Sequence, residues 1–256
     1  MRYLALACDY DGTIAHDGIV SEETIAALER VRQSGRKLIL VSGRELEDLQ
    51  KVFSRLDLFD RAVLENGALL YLPETRTEKV HGERPPDEFV LELKRRGVGP
   101  ISVGRVIIAT WTPHETTVLE VIRDLGLELQ VIFNKGAVMV LPSGVNKATG
   151  LSIALSELGL SPHNTVGVGD AENDHAFLSL CECGVAVANA LPMLKERADW
   201  VAEKDHGQGV AELIEKLVGS DLSELAPSLK RHEIALGFGA DGEEINLSPY
   251  GHNLLL

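Results

Sequence analysis

Cysteine is nearly missing from this chain: Cys8, Cys181 and Cys183 are the only three in 256 residues. An odd, sparse set supports no disulfide framework and fits a reducing compartment. Cys181-Glu182-Cys183 has no second pair of ligands, so a structural zinc site is not expected either. Positive charge is also short, with 25 Lys and Arg against 39 Asp and Glu and a net charge of -14. That balance excludes a binder of nucleic-acid backbones, which needs clustered cations. An anionic ligand would have to be met by a local cation or a metal. No apolar run approaches a membrane span, and the one after Met1-Arg2 is too brief for a signal-peptide core, so no membrane partner and a cytoplasmic location are expected. Repeats and low-complexity tracts are absent as well. What is present is ordinary globular material, 45% apolar and 25% charged, in a length that suits one and a half to two domains.

The apolar run Leu4 to Cys8 ends abruptly in Asp9-Tyr10-Asp11-Gly12-Thr13. A buried strand of this kind delivers its last residues to the carboxyl edge of a sheet, where open α/β folds bind ligands. Two carboxylates there are tolerable if solvated or if a cation lies between them. Ser21 looks like an N-cap for a helix with apolar positions Ile25, Leu28 and Val31, closed by Gly35. Lys37 to Val41 reads as a second buried strand stopping at Ser42-Gly43-Arg44, followed by a helix over about Glu45 to Arg55. Ala62 to Glu65 reads as a third strand, and Asn66-Gly67 as the turn of a hairpin with Ala68 to Tyr71. This alternation predicts a parallel sheet with crossover helices.

From about Arg84 the pattern changes. A helix (Asp87 to Arg96), a strand (Val103 to Thr110), a helix (His114 to Leu125) and two strands (Leu129 to Phe133, Val138 to Leu141) joined by Asn134-Lys135-Gly136 could bury a small core of their own. The alternation resumes at Asn146-Lys147, which opens a helix through Leu158. Thr165 to Gly169 is then a strand ending at Asp170, with Glu172, Asn173 and Asp174 just beyond. Short strands around Gly184 to Val187 and at Trp200-Val201 lead into a helix over Val210 to Val218.

Each of these residues has a bland reading. Asp9 and Asp11 could form a solvated acidic turn, Ser42, Asn173 and Asp174 could be helix caps, and Asn66-Gly67 is explained by hairpin geometry alone. A lysine at a helix start opposes the helix dipole, which gives Lys147 some need of another reason.

Taken together, Asp9-Tyr10-Asp11-Gly12-Thr13, Val41-Ser42-Gly43-Arg44, Asn146-Lys147 and Gly169-Asp170-Ala171-Glu172-Asn173-Asp174 resemble the four motifs of the haloacid dehalogenase-like (HAD) hydrolase superfamily, specifically its Cof-type (IIB) phosphatase branch. Four motifs in the right order, each at a strand end or helix start, are far more specific than any one. The resemblance implies a Rossmann-like three-layer α/β core with a parallel sheet, residues 1–84 and 142–219, and a small α/β cap domain inserted at 85–141. It implies a Mg²⁺-dependent phosphatase acting on a small phosphorylated metabolite, sugar phosphate-like, through an aspartyl-phosphate intermediate. Asp9 would be the nucleophile and Asp11 the general acid and base. Asp9, the backbone carbonyl of Asp11 and Asp170 would hold Mg²⁺, with Asn173 and Asp174 orienting its waters. Ser42, Gly43 and Lys147 would bind the phosphoryl group, with Arg44, Asn66 and Gly67 near the substrate. In the cap, Arg105, Trp111, His114, Asn134 and Lys135 are the candidates for substrate choice.

Two other readings compete with this one, a phosphomutase and a regulatory module that senses a phosphometabolite for a fused or partner P-loop ATPase. The second draws on the tail. Residues 220–256 read as a polar linker over Leu222 to Arg231, then strands at Ile234 to Gly237, Ile245 to Leu247 and Asn253 to Leu256. They look like the truncated start of a further, P-loop domain.

Overall fold

A computed structural model describes residues 1–225 and 234–247. In order, its elements are β1 (Ala5–Asp9), α1 (Glu22–Gln33), β2 (Lys37–Val41), α2 (Leu46–Val52), β3 (Arg61–Leu64), β4 (Leu69–Leu72), β5 (Thr77–Val80), α3 (Asp87–Arg95), β6 (Ser102–Val103), β7 (Ile108–Trp111) and α4 (Glu115–Asp124). There follow β8 (Leu129–Asn134), β9 (Ala137–Pro142), α5 (Lys147–Glu157), β10 (Thr165–Gly169), α6 (His175–Leu180), β11 (Cys183–Ala186), α7 (Pro192–Lys195), β12 (Trp200–Val201), α8 (His206–Ser220) and a hairpin of β13 (Ile234–Phe238) with β14 (Glu244–Leu247).

Eight strands form one sheet in the order β12-β11-β10-β1-β2-β3-β4-β5. The first six are parallel, while β4 and β5 pair antiparallel at one edge. Every residue of β1 and of β10 is buried, so these strands must be covered on both faces, as parallel strands are when crossover helices flank them. The helices do so in pairs, α1 with α8 and α5 with α6. The architecture is a Rossmann-like α/β fold. With β1 at the centre, the carboxyl ends of β10, β1, β2 and β3 stand side by side and deliver Asp170, Asp9, Ser42 and Glu65 to one edge.

A second, antiparallel sheet runs β6-β7-β9-β8. Phe89 and Leu93 of α3, Val118 and Val121 of α4, and Ile108, Val138 and Val140 of the strands are buried together beside it, a cluster separate from the main core. The turn between β8 and β9 is Lys135-Gly136, both at positive φ (47° and 88°), the geometry of a tight hairpin.

Several element readings change, among them the helix expected from Val210, which begins at His206. The single strand expected over Val103 to Thr110 is two, because the backbone N–H groups of residues 105–107 are taken by the Glu65 carboxylate instead of a ladder. The turn expected at Asn66-Gly67 is a four-residue loop, since Leu64 pairs directly with Leu69. The helix expected to reach Arg55 stops at Val52. In the tail, the linker expected from Leu222 begins by packing: Leu222 is fully buried and Leu225 leans on the main core. The strand expected at 253–256 lies outside the described residues. Among the described residues no helix is long and apolar enough to cross a membrane.

Candidate active site

At the meeting point of these strand ends, carboxylate oxygens of Asp9, Asp170 and Asp174 lie within 4.8 Å of one another, and all three residues are buried. Lys147 enters from the far side of the sequence. Asn146 caps α5, its side chain accepting from the N–H groups of Ala148 and Thr149 while the Thr149 hydroxyl accepts from the Asn146 N–H. That capping box fixes Lys147 as the first helical residue and turns it inward. Its Nζ donates to Asp9 Oδ1 at 2.6 Å and to Asp174 Oδ1 at 2.5 Å, with the residue only 2% exposed. The pair of anions outweighs both the desolvation of the ammonium and its unfavourable place at a helix N-terminus, and holds its pKa above the usual lysine range. Burial, then repulsion from Asp174, push the Asp9 carboxyl well up against the pull of Lys147. Burial and Asp174 raise Asp170 in the same way.

Asp174 does not cap α6 with its side chain. Its Oδ2 instead accepts from the backbone N–H groups of Asp170 and Ala171, at 2.8 and 2.9 Å, which fixes the loop that carries Asp170. Asn173 donates through Nδ2 to Asn66 Oδ1 at 2.9 Å, and its own Oδ1 is buried with no partner. Thr13 donates to Asp170 Oδ1. From the second sheet, the Lys135 ammonium reaches Asp170 Oδ2 at 2.5 Å.

These features fit a magnesium-class cation. The donors are hard oxygens alone, the Asp9 and Asp170 carboxyls are raised by burial and by the neighbouring Asp174, one lysine ammonium already sits against Asp170, and a buried amide oxygen is left without a donor. Asp11 stands outside this carboxylate cluster. Its side chain lies in the fork of Arg44, Nε to Oδ2 at 2.7 Å and Nη2 to Oδ1 at 2.8 Å, while Arg44 Nη1 reaches Asp48.

The remaining expected residues have the following partners. Arg44 is engaged with carboxylates rather than standing open to an anion. Asn66 is buried and donates to Met139 Sδ. Gly67 packs against the start of α5, where a Cβ would meet the Asn146 carbonyl oxygen at 2.1 Å. Ser42 is buried with its Oγ accepting from the Arg44 N–H at 3.1 Å, so it caps its own turn and not α2. Gly43 lies against the Asn66 amide. Of the second-sheet candidates, Lys135 alone contacts the acid cluster. Arg105 pairs with Glu47 and Glu78, His114 contacts the Gly99 carbonyl, Trp111 is half exposed, and Asn134 ends β8, which packs on residues 172–174.

The motif order and this geometry agree with what the chain resembles. A family profile described as haloacid dehalogenase-like hydrolase matches residues 6–93 and 120–214. The chain belongs to the haloacid dehalogenase-like hydrolases, in their Cof-type branch. It is therefore an enzyme of the phosphoric monoester hydrolase class. A phosphoglycolate phosphatase of Methanothermobacter thermautotrophicus is 30% identical over 84% of this chain and 99% of its own length. Phosphoglycolate phosphatase 2 of Saccharolobus solfataricus is 29% identical over 85% and 94%. Among solved structures, a putative HAD/COF-like hydrolase from Plasmodium vivax superposes with a TM-score of 0.74 at 22% identity, covering 87% of this chain and 97% of that one. A HAD subclass IIB sugar phosphatase, BT4131, gives 0.70 at 19% identity, covering 83% and 98%. The structural likeness speaks for the fold.

Proposed function

We propose that this enzyme is a Mg²⁺-dependent phosphatase of a small phosphorylated metabolite, phosphoglycolate or a sugar phosphate, working through an aspartyl-phosphate on Asp9. The observation that carries the reading is the convergence of Asp9, Lys147, Asp170 and Asp174, from three distant stretches, into one buried group. A solvated acidic turn would need none of this.

Asp9 attacks phosphorus with one oxygen while Lys147 holds the other, so the nucleophile is oriented before substrate arrives. Lys147 and the Ser42 hydroxyl receive the phosphoryl oxygens. Asp11 gives a proton to the departing alkoxide and takes one from the water that later opens the acyl phosphate. Its pairing with Arg44 fixes where that carboxyl points. Asp9, Asp170 and the Asp11 carbonyl would hold Mg²⁺, with Asp174 and the unpartnered Asn173 Oδ1 beside it. When bound, the ion neutralises charge on the transferring group. The second sheet, acting as a cap, covers the site and excludes water.

The test is hydrolysis of p-nitrophenyl phosphate with Mg²⁺ and with EDTA, followed by Asp9→Asn. Metal-dependent release of inorganic phosphate is expected, falling on the order of 10³-fold or more in the variant. Turnover that survives both EDTA and Asp9→Asn would refute the reading. Absence of turnover would favour the sensing module, and return of the phosphoryl group to substrate a mutase.

A further inference from the structure

The loop after β3 touches several parts of the site, and one of its side chains has no role in the chemistry above. Glu65 is 1% exposed. Its carboxylate receives three backbone N–H groups from the other sheet: Arg105 on Oε1 at 2.8 Å, Val106 and Ile107 on Oε2 at 2.8 and 2.9 Å. No lysine or arginine among the described residues pairs with it, since the Arg105 guanidinium is turned to Glu47 and Glu78. Consecutive amides converging on a single anion make a nest, a fixed concave grip.

On its own side Glu65 is equally constrained. Its N–H donates to the Arg44 carbonyl and the next N–H, that of Asn66, to the Ser42 carbonyl, both at 3.0 Å. Its φ is 49°, unusual for a residue with a side chain and maintained here by those flanking bonds. Asn66 and Gly67 extend the same loop to Asn173 and to the start of α5. One short loop thus bolts together the turn bearing Ser42 and Arg44, the loop bearing Asp170 to Asp174, the helix start bearing Lys147, and the second sheet.

We propose that Glu65 is a positioning residue: it fixes the second sheet at a set height and angle over Asp9 and Asp11, and so tunes the enzyme for substrates whose leaving group is held by that sheet. This rests on the phosphatase reading above. It assigns no contact with the substrate to Glu65 itself. A substrate such as 2-phosphoglycolate depends on the covered pocket, whereas an activated aryl phosphate leaves readily and asks little of it.

Two variants approach the grip from opposite sides. Glu65→Gln keeps the shape but sets an NH₂ against donor amides. Gly104→Ala leaves Glu65 intact and places a methyl where a Cβ would lie 2.7 Å from its Oε1. Thermal melts establish that each variant is folded. For both, kcat/KM on 2-phosphoglycolate is expected to fall at least about tenfold while p-nitrophenyl phosphate turnover stays within about threefold. Amide exchange at Arg105, Val106 and Ile107 should quicken by about tenfold or more. Equal losses on both substrates would mean a merely structural role, and unchanged amide exchange would mean that the carboxylate does not secure the turn; either result overturns the proposal. The exchange measurement needs no turnover, so it judges the grip even if the wild type proves inactive on p-nitrophenyl phosphate, which would instead defeat the phosphatase reading.

Discussion

Lys147 is the residue whose loss has the most predictable consequence. Its ammonium is the only cation bonded to Asp9 and Asp174 among the described residues. Removing one member of a buried charge group strands the others, at about 3–5 kcal/mol. Lys147→Met should therefore lower urea stability by that order and cut turnover by roughly 10²–10³-fold; a stable, active Lys147→Met protein would contradict both assignments. At this scale Asp9, Asp170 and Lys147 were legible in the sequence because each follows directly from a strand end or a helix start. Arg44 and Gly67 were set near the substrate by the resemblance alone, and their partners in the structure were not legible, because a side chain's direction depends on residues far away. Arg44 finds Asp11 and Asp48, and Gly67 finds α5. Glu65 was read only as the end of a strand, although it is the first residue past β3 and stands at the same edge of the sheet as Asp9. Its carboxylate was hidden behind the stronger turn signal of Asn66-Gly67.

At the scale of elements, α5 shows how a cap serves a site. The Asn146 side chain satisfies two backbone donors that would otherwise be orphaned, and it sets the rotation that points Lys147 inward. Asn146→Ala is expected to cost about 1 kcal/mol in urea unfolding, with a fall in turnover greater than that loss explains, because the lysine is released as well. A change in stability without any change in turnover would separate the cap from the site. The parallel strands were readable as continuous apolar runs. β5 was not, since Thr77-Glu78-Lys79-Val80 is exposed throughout and is a strand only because β4 offers it a partner. The break between β6 and β7 was equally out of reach, being imposed by Glu65 from another part of the chain.

For the whole molecule, the two ends of the main body are tied by Asp221, which closes α8. It accepts from the backbone N–H of Arg2 and from Arg36 Nη2 at 2.7 Å. Burial pushes its carboxyl up, but these donors outweigh burial and hold it below the ordinary 3.8. A depressed folded pKa means that the stabilisation is fully present above that ordinary value and is lost as pH falls through the lower one. Asp221 has a φ of 55°, which asparagine tolerates, so Asp221→Asn is a clean probe. It should cost about 1 kcal/mol near neutral pH, allowing for solvent around a partly exposed group, and the gap to wild type should close below about pH 4. A gap that stays constant in acid would assign the effect to something other than charge.

The reach of Lys135 to Asp170 has a consequence of its own. A divalent ion bound through Asp170 Oδ2 would compete with the ammonium for the charge on that oxygen, so filling the acid cluster would loosen the hold of the hairpin tip. The hairpin would then act as a competitor built into the chain. Lys135→Met is accordingly expected to bind Mg²⁺ several-fold more tightly by calorimetry, and an unchanged dissociation constant would show that tip and ion do not contend for the same oxygen.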